Sequence, residues 1–218
     1  MKISEVIARR AEVKMGGKPP EDRPRKPVAQ RALKVIRTRE TPNPNALQFV
    51  LNTQVLEKGK RSYSSKEDCK EDAMATAVFG YEAVQNVYIM DNFVTVTKGD
   101  RFGWNPLKKQ VWDKIDELVK VYPSDEVDPG PQVDVTNFLT LPLDKKLQAI
   151  EMVLNRSIRS QLAQDGGGVD LMGLDDNEVK IHYQGACGSC PTSTTGTLQH
   201  IEKLIKQQLD KNLVVKSV

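Results

Sequence analysis

Gly185-Ala186-Cys187-Gly188-Ser189-Cys190-Pro191-Thr192 decides how the second half of this 218-residue chain is read. Two thiols three residues apart, on a turn that carries glycine, can grip one soft metal or close one disulfide. The chain has one other cysteine, Cys69, far away in sequence. A metal held at the pair therefore lacks two of the four thiolates that an iron–sulfur or zinc site usually takes. Cys190 stands just before Pro191 and the polar run Thr192-Ser193-Thr194-Thr195, where the last helix should start. Unpaired N–H groups and the dipole at a helix N-terminus favour negative charge, which lowers the pKa expected of both cysteines. Gly185 and Gly188 let the backbone bend around a bound group and offer it N–H donors.

The flanking residues spell out the elements that carry the motif. Leu147, Ile150, Leu154, Ile158 and Leu162 fall at three- and four-residue steps, one stripe of a helix, with Asp144 as its N-cap. Gly166-Gly167-Gly168 ends that helix. Val169 and Leu171, then Val179, Ile181 and Tyr183, alternate like strands around an Asp176-Asn177 turn. Leu198, Ile201, Ile205 and Leu209 mark the helix after the motif, and Leu213-Val214-Val215 closes as a short strand. The order is helix–hairpin–CxxC loop–helix–strand.

The first half reads as a second small unit. Ala46-Leu47-Gln48-Phe49-Val50-Leu51 is a strand, preceded by the turn-rich Thr41-Pro42-Asn43-Pro44-Asn45. Ser65 caps a helix that runs through Ala73, Ala77 and Val78 and stops near Gly80. Residues 84–90 and 93–97 form two β-rich runs joined at Asp91-Asn92, the mark of a tight hairpin. Asn105-Pro106 opens a helix with Leu107, Val111, Ile115, Leu118 and Val119 on one face. Trp104 and Trp112 are core or domain-contact residues.

The expected fold class is α+β: two small α/β sandwich domains joined by a linker rich in proline and acids. The divisions are a basic flexible tail at 1–33, a first domain at 34–122, the linker at 123–140 and a second domain at 141–218. The two domains share a vocabulary of helix and hairpin, without a convincing sequence repeat.

Bulk properties narrow the function. A hydrophobic content of 39% with 28% charged residues is that of an ordinary soluble globular protein. A net charge of +3 argues for no nucleic-acid partner. No stretch approaches the roughly 18 apolar residues of a membrane span, and no membrane partner is expected. Three unevenly spaced cysteines make no secreted disulfide framework, so a reducing, cytoplasmic compartment is expected. The first forty residues are basic, but Glu5, Glu12, Glu21 and Asp22 count against an organellar targeting peptide, and an organellar matrix is the alternative.

Three chemistries compete for Cys187 and Cys190. A dithiol–disulfide oxidoreductase needs only this pair, also at a helix N-terminus. However, a thioredoxin-like domain wants a longer βαβ arrangement around an early CxxC. A zinc site needs two more ligands, and neither His182, facing away from Ile181 and Tyr183, nor His200 falls at a standard zinc spacing. In the third reading two chains each give both cysteines, supplying four thiolates to one cluster on a symmetric dimer axis. Gly166-Gly167-Gly168 lacks the surrounding spacing of a phosphate loop. Ser189, Thr192 and Ser193 have no base near them in sequence, so nucleophilic catalysis has no support.

Asp165-Gly166-Gly167-Gly168-Val169, followed by Gly185-Ala186-Cys187-Gly188-Ser189-Cys190-Pro191 and a helix, resembles the NifU C-terminal-like domain of Nfu-type iron–sulfur proteins. The first unit resembles the Nfu N-terminal domain through Thr41-Pro42-Asn43-Pro44-Asn45-Ala46-Leu47, Asp91-Asn92-Phe93-Val94-Thr95-Val96-Thr97 and the helix near Trp104. The likeness runs from about Arg37 to Val218. It implies a non-enzymatic scaffold or carrier that takes an iron–sulfur cluster from assembly proteins and passes it to apo-protein clients. The cargo implied is 4Fe-4S, with 2Fe-2S as the alternative. Cys187 and Cys190 are then the ligands, in a homodimer formed through the cluster. Cys69 has no role in that pattern. The basic tail and the highly charged Lys66-Glu67-Asp68-Cys69-Lys70-Glu71-Asp72 depart from it.

Overall fold

The computed structural model describes residues 32–124, 134–188 and 193–218. The expected tail therefore lies outside the described residues up to position 31, as do the linker residues 125–133. The architecture is α+β, with two separate sheets.

The first sheet has five antiparallel strands: β1 (Val35–Glu40), β2 (Ala46–Leu51), β3 (Leu56–Tyr63), β4 (Val84–Asp91) and β5 (Phe93–Lys98), in the order β1-β2-β5-β4-β3. Period-two alternation sorts its residues onto two faces. Leu47, Phe49, Val87, Ile89, Val94 and Val96 join the core with α1 (Ala73–Val78) and α2 (Leu107–Leu118), which contribute Met74, Val78, Val111 and Ile115. The register aligns Gln48, Thr95 and Tyr88 across β2, β5 and β4 on the opposite face. The expected Asp91-Asn92 hairpin is present, with Asp91 at φ 49°.

Two strands and one helix start differ from the sequence reading. β1 (VIRTRE) and β3 (LEKGKRSY) carry too many charges to show a strand pattern, and both are edge strands, where charge discourages pairing with other chains. The helix expected from Ser65 begins seven residues later. Ser65 Oγ accepts from Asp68 N at 3.3 Å and caps only a 3₁₀ turn at Glu67–Cys69. Asp72 is the true N-cap of α1, its carboxylate accepting from Ala75 N at 3.0 Å.

The second sheet follows α3 (Leu143–Ser157) and α4 (Arg159–Gln164). The single expected helix is thus divided at Ile158, and Asp144 lies in the first turn rather than at the N-cap, a position held by Pro142. β6 (Gly167–Asp175) and β7 (Glu178–Gly185) form the expected antiparallel hairpin, with Asp176 at φ 51°. α5 (Ser193–Gln208) crosses over, and β8 (Val214–Ser217) pairs parallel to β7. Ile150, Leu154, Val169, Ile181, Ile201 and Ile205 fill the core between helices and sheet. Gly166 marks the helix stop, but Gly167 and Gly168 already belong to β6. No helix among the described residues is long and apolar enough to cross a membrane.

Candidate functional site

β7 delivers the cysteine loop. The strand ends at Gly185, whose φ of 61° turns the chain in a conformation that a side chain would disfavour. The following turn is closed by Cys187 N donating to Gln184 O at 3.3 Å and Gly188 N donating to Gly185 O at 3.2 Å. Ala186 N donates to Gly166 O at 3.1 Å, which ties the loop to the start of the glycine run. Cys187 is 3% exposed and packs into the second core. Gly167 approaches it so closely that a Cβ there would stand 2.6 Å from Cys187 Sγ. The Asp165-to-Val169 run and the turn that carries Cys187 are thus parts of one packed unit.

Cys190 lies outside the described residues, together with Ser189, Pro191 and Thr192. The other candidates are placed apart from the loop's core contacts. His182 is exposed, with Nδ1 2.9 Å from Val218 O, and His200 is exposed on α5. Cys69 sits in the first core at 1% exposure, with Sγ 3.4 Å from Lys66 O and Thr76 Oγ1 at 3.6 Å. Among the described residues, no group of three or more His, Cys, Asp or Glu is placed to hold a metal ion. Trp104 packs edge-on to Phe49 with centroids 6.5 Å apart, and its Nε1 donates to Pro44 O at 3.2 Å. Trp104 and Trp112 also line an open groove beside Pro106 and Lys108, on the first domain.

Several residues at the loop were not singled out from sequence. Asn43 is 1% exposed, and its Nδ2 donates to Ala186 O at 2.8 Å, directly before Cys187. Tyr88 is buried against Gly168 and Gly185. Burial, then the neighbouring Cys187 and Asp170, push its phenol pKa well up. Tyr183 is pushed up to about 12, first by burial and then by Cys187. Lys60 pairs with Asp170 and donates to Val169 O at 3.3 Å, and burial lowers its pKa against the raising effect of Asp170. A cavity of about 420 Å³ opens beside this pair, lined also by Tyr88, Glu151 and Arg159. The Thr41-to-Asn45 motif was the visible signal for Asn43. Nothing in the sequence alone joins it to Ala186, 143 residues away.

Residues 36–121 match the family model described as scaffold protein Nfu/NifU N terminal, and residues 150–216 match the NifU-like domain. The chain is 30% identical over 183 residues to the NFU1 iron-sulfur cluster scaffold homolog, mitochondrial, of Drosophila yakuba, covering 84% of this chain and 64% of that protein. It is 29% identical over 180 residues to the human protein of the same name, covering 78% and 66%. With NifU-like protein 5, mitochondrial, of Arabidopsis thaliana it shares 27% over 180 residues, covering 82% and 66%. The chain therefore spans just under two thirds of the length of these relatives. Among solved structures, a NifU-like protein from Saccharomyces cerevisiae aligns with a TM-score of 0.38 and 23% identity, over 48% of this chain and 97% of that one.

Proposed function

We propose that this chain, which belongs to the Nfu family of scaffold proteins through both its Nfu/NifU N-terminal and its NifU-like domain, is an iron–sulfur cluster carrier that holds its cargo on Cys187 and Cys190. The observation that carries this reading is the packing of the Cys187 turn against Gly167. The glycine run and the Cys187 turn, one from each motif that resembles the family, pack together there. Thiolates are soft donors and suit iron–sulfur clusters. Cys69 is sealed in the other core, so one chain offers the pair and no third cysteine.

A 4Fe-4S cluster takes four thiolates, which two copies of the motif supply, so the loaded form is a homodimer joined through the cluster. Handover is ligand exchange. Each client thiol that binds iron gives up its proton, and each departing carrier thiolate takes one up, with no net electron transfer. The protein needs no catalytic residue for this and acts as a carrier rather than an enzyme. Its partners are assembly proteins that donate clusters and apo-proteins that receive them. The compartment is reducing, and the mitochondrial names of the relatives support an organellar matrix over the cytoplasm. The family matches are to scaffold proteins and do not favour a dithiol oxidoreductase.

Cys187→Ser and Cys190→Ser test the assignment directly. Each should abolish the visible absorption of an anaerobically reconstituted sample and leave the far-UV circular dichroism of the apo-protein intact. Full cluster loading in both variants would remove the cysteine pair from the site.

A further inference from the structure

Helix α2 carries a second stripe beside the one that fills the first core. Leu107, Val111 and Ile115 recur every four residues and are buried. One position on, Lys108 and Trp112 keep the same spacing, and residues four apart are neighbours on a helix surface. Lys108 N donates to Trp104 O at 2.6 Å, so the same turn reaches back to Trp104. Lys108 thus stands between two indoles. Trp104, Pro106 and Trp112 line an open groove of about 580 Å³, with the exposed Lys108, Lys109 and Asp113 beside them.

The chain's own contacts brace this groove. Trp104 packs edge-on to Phe49, its Nε1 donates to Pro44 O at 3.2 Å, and the Lys98 ammonium lies 5.9 Å from its ring centroid. Trp112 packs against the first core. Aromatic side chains fixed in advance offer apolar area with little ordering cost when a partner binds. Tryptophan is also enriched where interfaces hold their partners most tightly.

Charge decides what the groove takes. The three acids of α2 all stand in ion pairs: Asp113 with Lys109 at 2.6 Å, Asp116 with Lys34 at 3.7 Å and Glu117 with Lys114 at 2.7 Å. Lys108 has no ion pair with any described residue, and neither has the exposed Arg101 on the loop before the groove. Glu40 lines a separate, more polar cleft that meets the groove at Trp104 and Lys108. Among the described residues, the groove's one carboxylate is therefore matched, and its central cation is not.

We propose that this groove docks an acidic segment of a partner protein, which sets an apolar side chain between Trp104 and Trp112 and a carboxylate on Lys108. It goes beyond the carrier reading, since no cysteine takes part in it. For a carrier, such a surface holds a donor or client by an acidic, apolar-anchored stretch of its chain.

The test uses the full-length apo-protein and one synthetic peptide, acetyl-Glu-Asp-Leu-Phe-Glu-Asp-amide. Trp104 and Trp112 are the chain's only tryptophans, so intrinsic fluorescence reports the groove directly. The peptide should shift the emission to shorter wavelength in a saturable way. A peptide with lysine for every acid, and one with serine for leucine and phenylalanine, should each bind more weakly by roughly fivefold or more. Lys108→Glu should weaken the acidic peptide roughly fivefold to tenfold, because it turns an exposed ion pair into a like-charge contact. Lys70→Glu, the same change on an exposed residue outside the groove, should leave binding unaltered. No saturable shift up to about 1 mM peptide overturns the proposal, as does equal binding of the lysine peptide or an unaffected Lys108→Glu. An emission shift on concentrating the protein alone would seat a second copy there instead, and overturns it too. Anaerobic reconstitution of the same sample keeps the two readings apart. Peptide binding by a protein that takes up no cluster leaves the groove standing and sinks the carrier.

Discussion

Gly167 lies so near the cysteine loop that a Cβ there would meet Gln184 O at 2.5 Å, Cys187 Sγ at 2.6 Å and Cys187 N at 2.8 Å. Two of those three atoms are backbone, so relief requires the loop itself to move. Gly167→Ala should therefore cost about 1–3 kcal/mol, the usual price of overpacking. Gly196 gives the matching control, since a Cβ there meets nothing within 4 Å on α5. Gly196→Ala should stabilise by about 0.5–1 kcal/mol through helix propensity alone. Urea denaturation of both variants measures the difference. Equal stability of Gly167→Ala and the parent would mean that the glycine does not set the position of Cys187.

At the scale of elements, α5 is fixed by Ile201 and Ile205, both fully buried against the second sheet. Ile201→Ala should destabilise that layer by about 2–5 kcal/mol. The only tryptophans, Trp104 and Trp112, pack against the first core, so fluorescence reports the first sheet and far-UV circular dichroism reports both. The dichroism transition should move to lower denaturant well ahead of the fluorescence transition. Identical shifts would mean that the two sheets melt as one unit. The helical stripe of α5 and both hairpins were legible in sequence, because apolar period and Asp-Asn turns act locally. β1 and β3 were not, because edge strands need little apolar alternation. Gln48 and Thr95 are polar positions in alternating strands, and no local pattern marks them as buried. Their burial depends on glycines more than sixty residues away in the chain, a long-range packing that no local pattern encodes. The cysteine pair stood out by residue type, whereas its hold by Asn43 did not.

For the whole molecule, a short supply of ligands sits within a fold that holds the Cys187 turn tightly. One chain brings Cys187 and Cys190, with Cys69 locked in a separate core. The first domain grips the loop through Asn43 and the glycine run. On the proposed reading, a 4Fe-4S cluster draws two of its four thiolates from a second chain, and its hold depends on both copies staying together. That shared hold suits cargo that has to leave. The most direct test is native mass spectrometry of the anaerobically reconstituted full-length protein, with iron and sulfide assayed on the same sample. A dimer carrying about four irons and four sulfides per two chains is expected. A monomer that retains tightly bound zinc, or a cluster with no gain in mass to dimer, would contradict it.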